Sequence, residues 1–140
     1  MRILREHREI RNLLDRLDAT VQAVSAGDRR RLRRAQALRD RLCGRVAAHV
    51  ELEAAILEPA LRKADGWGDA RVAKLCQHQR AQRVALDGLT KHETLEPARF
   101  AERLGRSVTC LREEIEREES ELLDPELLRD DVIGIGVEGG

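Results

Sequence analysis

His49 and Glu53 stand four residues apart in "HVELEAAILEP", a stretch that otherwise reads as amphipathic helix. On a helix, side chains at i and i+4 lie one above the other, with Cβ atoms about 6 Å apart. An imidazole and a carboxylate placed this way offer a nitrogen and an oxygen donor to one side. Glu114 and Glu118 repeat the spacing later in the chain, and His7 and His78 fall on apolar stripes of their own. Three imidazoles and three carboxylates brought unpaired into one core would cost on the order of several kcal/mol each. A metal ion removes that cost by taking the lone pairs. The i, i+4 geometry lets His49 hold one ion while Glu53 reaches across to bridge a second. His7, His49, Glu53, His78, Glu114 and Glu118 are therefore the candidate metal ligands.

The elements that must position them follow from apolar periodicity. Ile3, His7, Ile10, Leu14, Leu17, Val21 and Val24 recur at three-and-four spacing, so a first helix runs from about residue 2 to residue 25. "SAGD" breaks that pattern, and Asp28 is placed to cap a second helix reaching about residue 58. Its inner face reads Leu38, Leu42, Val46, His49, Glu53, Ile56 and Leu57. Pro59 disrupts or kinks it, with one short further turn in "ALRKAD". After the loop "DGWGD", a third helix spans about 69 to 91, with Asp69 as cap and Val72, Leu75, His78, Gln82, Leu86 and Leu89 inward. Pro97 suits the first turn of a fourth helix, which runs to about residue 123. Leu104, Val108, Leu111, Glu114 or Ile115, Glu118 and Leu122 face inward there. Short connections between four helices predict an all-α, up-down-up-down four-helix bundle over residues 1–128, with a flexible Gly-rich tail over 129–140. The opening and closing motifs of the two halves also resemble each other loosely, which suggests a pseudo-twofold.

Composition agrees with one helical domain. In 140 residues, 41% are apolar and 37% charged, an alphabet of Arg, Glu, Leu and Ala that suits long packed helices. Formal net charge is zero, and one Phe, one Trp and no Tyr leave little for stacking on bases, so nucleic acid is not an expected partner. No apolar run approaches a membrane span, and the charged N-terminus has no signal-peptide core, so the cytoplasm is the expected location. Cys43, Cys76 and Cys110 form no CxxC pair and read as small buried residues on helices.

The order of motifs brings a family into view. His7 in "REHREIRNLLDRL", His49 and Glu53 in "HVELEAAILEPAL", His78, and a carboxylate pair in "EEIEREESELLDPEL" resemble the hemerythrin-like, or HHE cation-binding, domains. The resemblance covers about residues 2 to 128. It implies two non-haem iron ions, oxo- or hydroxo-bridged and shared by two carboxylates. It also implies a small-molecule partner: dioxygen, peroxide or nitric oxide. His7, His49, Glu53 and His78 carry over directly. Glu114 stands where the family has a His, and Glu118 and Glu119 are rival bridging ligands, of which Glu118 shares a face with Leu111 and Leu122. Gln82 replaces the second third-helix His of dioxygen-carrying members. These departures point to a carboxylate-rich site that reacts with its ligand rather than storing oxygen. The alternatives are an iron or oxygen sensor, or a helical interaction module with a zinc or degenerate site.

Other residues are read more plainly. His92 suits a surface position near a helix C-terminus. "RRRLRR" over residues 29–34 reads as a solvated face. Cys110 precedes Glu114 by four residues and is a possible thiolate donor, with a buried thiol as the simpler reading. The lack of Tyr excludes tyrosyl-radical chemistry within this chain.

Overall fold

The computed structural model describes residues 2–90 and 96–123, and all its regular structure there is helical. Helix α1 spans Arg2–Ser25, and α2 spans Leu32–Leu52. A π-helical turn over Glu53–Leu57 carries α2 into α3, Glu58–Ala64. Helix α4 spans Gly68–Thr90 and α5 spans Pro97–Leu122. Four long helical rods result, consistent with a hemerythrin-like bundle. Helix α1 packs on α2 and α5, and α4 packs on α5 and α3. The tail expected over 129–140 and His92 lie outside the described residues.

Local chemistry explains the element ends. Gly27 adopts φ +104° at the end of α1, a conformation that favours glycine. Around it, Asp28 N–H donates to Ala23 O and Gly27 N–H to Val24 O, the paired bonds of a Schellman motif. The Asp28 carboxylate then accepts from Arg30 N–H at 3.2 Å, capping a short 3₁₀ turn that leads into α2. Pro97 opens α5, and Glu96 caps it by accepting from Ala98 N–H. Gly68 opens α4 where the chain passes so close to α3 that a Cβ would stand 2.5 Å from Arg62 O. Asp69 does not cap that helix. Its side chain instead accepts from Arg62, while Asp65 accepts from Trp67 N–H.

Pro59 does not end its helix. It has no N–H to give the carbonyl four residues back, and its ring crowds that carbonyl. The chain accommodates this with the wide turn just before it, where Glu58 N–H donates to Glu53 O, five residues back. Helical structure then continues to Ala64.

The core has two apolar parts. The larger holds Leu14, Leu17, Leu42, Val46, Leu104 and Leu111 among others. The smaller holds Ile3, Leu57, Leu61, Leu75 and Leu122. Of the expected inward residues, Ile56 and Leu86 are only partly buried, whereas Glu114 and Ile115 are both buried. The cysteines depart further from expectation. Cys43 is half-buried, and Cys76 and Cys110 are exposed. Each exposed thiol sits one position off an inner-face residue, and one position turns a helical side chain by about 100°.

Candidate metal centre

A layer of polar side chains interrupts the core. His7 comes from α1, His49 from the last turn of α2, Glu53 from the start of the π turn and Glu118 from α5. All four are buried, and each offers a donor atom such that the four atoms lie within 4.8 Å of one another. His7 Nε2 and His49 Nε2 face each other at 2.9 Å. Glu53 Oε2 lies 3.2 Å from His49 Nε2, and Glu118 Oε1 lies 3.8 Å from His7 Nε2. Neither oxygen has a hydrogen-bond partner, although both are shielded from water. Buried carboxylate oxygens left this way are costly unless a cation takes them.

The outer ring nitrogens show how the imidazoles are oriented. His7 Nδ1 lies 2.7 Å from Glu119 Oε2, and Arg11 clamps that carboxylate with bonds of 2.8 and 3.1 Å. His49 Nδ1 lies 3.0 Å from Glu6 Oε1. A carboxylate on Nδ1 keeps that nitrogen protonated and turns Nε2 inward as a donor to metal. Both histidines therefore present Nε2 to the same point.

Electrostatics in the metal-free cluster follow the same logic. Burial and the neighbouring His49 push the His7 pKa below its ordinary value, outweighing Glu119 and Glu53. Burial also works against charge on His49, but Glu53 and Glu6 outweigh it and raise its pKa. His49 is therefore the readier of the two to take a second proton, at the point where a cation would bind. Burial opposes charge on Glu119 too, but hydrogen bonds from Arg11 and His7 hold its pKa below the usual carboxylate value.

The other two expected ligands stand apart from this group. His78 Nδ1 lies 3.0 Å from Glu114 Oε2, and its Nε2 lies 2.9 Å from Glu121 Oε2. Glu114 also accepts from Arg117 at 2.7 Å. The link to the inner four runs through amides. Gln82, one turn from His78, donates to Glu118 Oε2 at 2.9 Å, and Gln79 donates to Glu53 Oε1 at 3.4 Å. Each inner carboxylate therefore turns one oxygen to the histidine pair and the other to α4. Cys110, exposed on α5, is not among the grouped residues.

Glu118 and Glu119, rivals in the sequence, separate cleanly. Glu118 joins the cluster, and Glu119 backs His7. Helix periodicity did not reveal Glu6, Arg11, Gln79 or Glu121. The adjacency of Glu6 to His7 was one available signal, since a carboxylate beside an inward residue flanks the site.

The donor set of two imidazoles and two carboxylates, with two unpartnered oxygens, fits a metal cation. The hemerythrin HHE cation-binding domain matches residues 2–124. No curated protein and no solved structure matches the chain. A match over nearly the whole chain, together with this buried His/Glu group, means that the protein belongs to the hemerythrin HHE cation-binding domain family.

Proposed function

We propose that the protein is a non-haem di-iron protein that reacts with dioxygen, peroxide or nitric oxide in the bundle core. The observation that carries this reading is the pair of unpartnered oxygens on Glu53 and Glu118, facing two inward Nε2 atoms. His7, His49, Glu53 and Glu118 would hold the first iron. His78 and Glu114, with the second oxygens of Glu53 and Glu118, would hold the other. Bound iron would supply redox chemistry and Lewis acidity. The protein's own groups orient the donors and exclude water: Glu6 and Glu119 fix the imidazoles, and the apolar clusters flank the layer. The carboxylate-rich set favours the ferric state, because charged oxygen is the harder donor. It fits reaction rather than reversible oxygen carriage.

The helix order that goes with this reading is up-down-up-down, over residues 1–128. Its support is in the cross-helix pairs. Glu9 pairs with Arg45 while Glu6 meets His49, and Arg112 reaches Asp15 while Glu119 reaches Arg11. Partner numbers fall as α1 numbers rise, as antiparallel neighbours require. Free thiols at Cys43, Cys76 and Cys110 fit a reducing, cytoplasmic setting. Among the described residues, no helix is long and apolar enough to cross a membrane.

A second reading has one observation in its favour. Among the described residues only four donors converge, a set that a single zinc or iron ion also accepts. A sensor or interaction module with one structural ion would look the same. Metal analysis of protein grown in iron-rich medium separates the two. About two irons per chain, with near-ultraviolet absorption and a silent paramagnetic resonance spectrum from coupled ferric ions, is the expected result. One ion per chain, or zinc in place of iron, would overturn the paired-iron reading.

A further inference from the structure

The two grooves flanking α1 differ in charge balance. Toward α5, Arg112 pairs with Asp15 and Asp18, and Arg11 pairs with Glu119. Toward α2, a cleft of about 430 Å³ opens between the helices. Glu9, Asn12, Leu13 and Arg16 line it from α1, and Arg41 and Arg45 line it from α2. Leu13 is buried, whereas Asn12 and the three arginines are exposed, so a cationic rim surrounds an apolar base. Glu9 pairs with Arg45. Arg16 and Arg41 have no ion pair among the described residues. Three guanidinium groups thus share one carboxylate, and the cleft holds two positive charges in excess. The neighbouring sequence adds to this, since residues 29–45 contain eight arginines and one acidic residue, Asp40. In a chain of zero net charge, such segregation concentrates positive potential in one region.

We propose that the cleft between α1 and α2 binds a small soluble phosphate monoester, at a site separate from the metal centre. A phosphate monoester carries close to two negative charges near neutral pH, which matches the excess in the cleft. A monocarboxylate would leave half of that excess unmatched. Guanidinium groups bind phosphate oxygens in a two-pronged, planar geometry. Arg16 and Arg41 come from different helices, so a phosphoryl group between them relieves the repulsion of two like charges. The Asn12 amide supplies a further donor, and Arg45 a third guanidinium. The volume falls within the range of small-molecule sites, about 300–1,000 Å³, and leaves room for the organic part over Leu13. None of the lining residues belongs to the buried His/Glu group, so the site does not depend on which metal the bundle holds.

The test is a calorimetric titration of the full chain, as purified, with glycerol 3-phosphate in a phosphate-free buffer of low ionic strength. Acetate is the singly charged control. The expected result is saturable binding of one glycerol 3-phosphate per chain, with acetate much weaker. Arg16→Gln and Arg41→Gln should each weaken binding by roughly ten- to hundredfold, the worth of a hydrogen bond to a charged group. Arg103→Gln removes the same charge from α5, away from the cleft, and should change the constant by no more than about twofold. Glu9→Gln frees Arg45 and should tighten binding. Melting curves check that the variants fold. No saturable binding, or equal weakening in Arg41→Gln and Arg103→Gln, would overturn the site and leave only diffuse attraction. Binding to vesicles containing phosphatidic acid without binding to glycerol 3-phosphate would overturn the small-molecule assignment and give this face to a lipid surface.

Discussion

Glu118 and Glu119 are neighbours of the same type with unrelated tasks, because one helical position separates an inward from a sideways direction. Glu118 presents a bare oxygen to the cluster, whereas Glu119 orients His7 and is pinned by Arg11. Loss of a carboxylate behind a ligating histidine usually lowers metal affinity by about 10–100-fold. Glu119→Gln is expected to fall in that range, measured by competition with a chelator, without changing the number of ions bound. Glu53→Ala should instead remove a donor outright, and metal content per chain should drop. The raised His49 pKa makes a further prediction. The His49 pKa is raised, so in the metal-free protein His49 is still charged at pH values above the ordinary imidazole range. The cation must displace that proton. Affinity should therefore weaken as pH falls, beginning above the usual histidine titration and approaching about tenfold per pH unit. His7, with its lowered pKa, adds to this only at lower pH. Calorimetry in buffers of different ionisation enthalpy should find about one proton released by the first ion. Release of none would mean that His49 is neutral in the metal-free protein.

Among the elements, the division of the core into two apolar clusters decides which parts depend on metal. The larger cluster is ordinary helix packing. Leu42 is fully buried within it, and Leu42→Ala should cost about 2–5 kcal/mol with or without metal. The smaller cluster joins α3 to the ends of α1, α4 and α5, and the polar layer is what lies next to it along each rod. Metal removal should therefore speed amide exchange around Leu57, Leu61 and Leu122 more than around Leu14, Leu42 and Leu111. Equal acceleration in both regions would count against this division. At the α3–α4 junction, a methyl group on residue 68 would press on Arg62 backbone rather than on a yielding side chain. Gly68→Ala should cost about 1–3 kcal/mol by chemical denaturation.

For the molecule as a whole, a bound cation would join α1, α2, the π turn and α5 around buried charge. Binding only to the folded state stabilises that state by mass action. The metal-free protein should melt at a lower temperature, and iron at a hundred times its dissociation constant should restore about 2.7 kcal/mol. Identical melting curves with and without metal would show that the cluster does not bind it in the folded state. The carboxylate-rich donor set leads to the functional expectation. The reduced, iron-loaded protein should oxidise irreversibly in air, and its spectrum should not recover over repeated vacuum and air cycles. Reversible cycles would point to oxygen carriage instead.

Much of this was legible in the sequence, for a local reason. The i, i+4 spacing of His49 and Glu53, the stripe through Ile10, Leu14 and Leu17, the break at Gly27 and the start at Pro97 depend on helix geometry and on residues close in sequence. Periodicity also found His7 and Glu118, because an inner face is defined by its own apolar neighbours. It could not find Glu6 behind His49 or Glu119 behind His7, which are 43 and 112 residues distant in the chain. Those pairings depend on how far each helix is rotated and slid against the next, and no single helix carries that information. The same rotation exposes Cys76 and Cys110 and turns His78 toward Glu121. The wide turn at Glu53 belongs to both levels. Pro59 announces a disturbance in the sequence, and in the structure the helix widens there rather than breaking. Residue types and spacing thus determined which donors this protein has. Only the packing of the four rods decided which of them meet and which are backed by a second carboxylate.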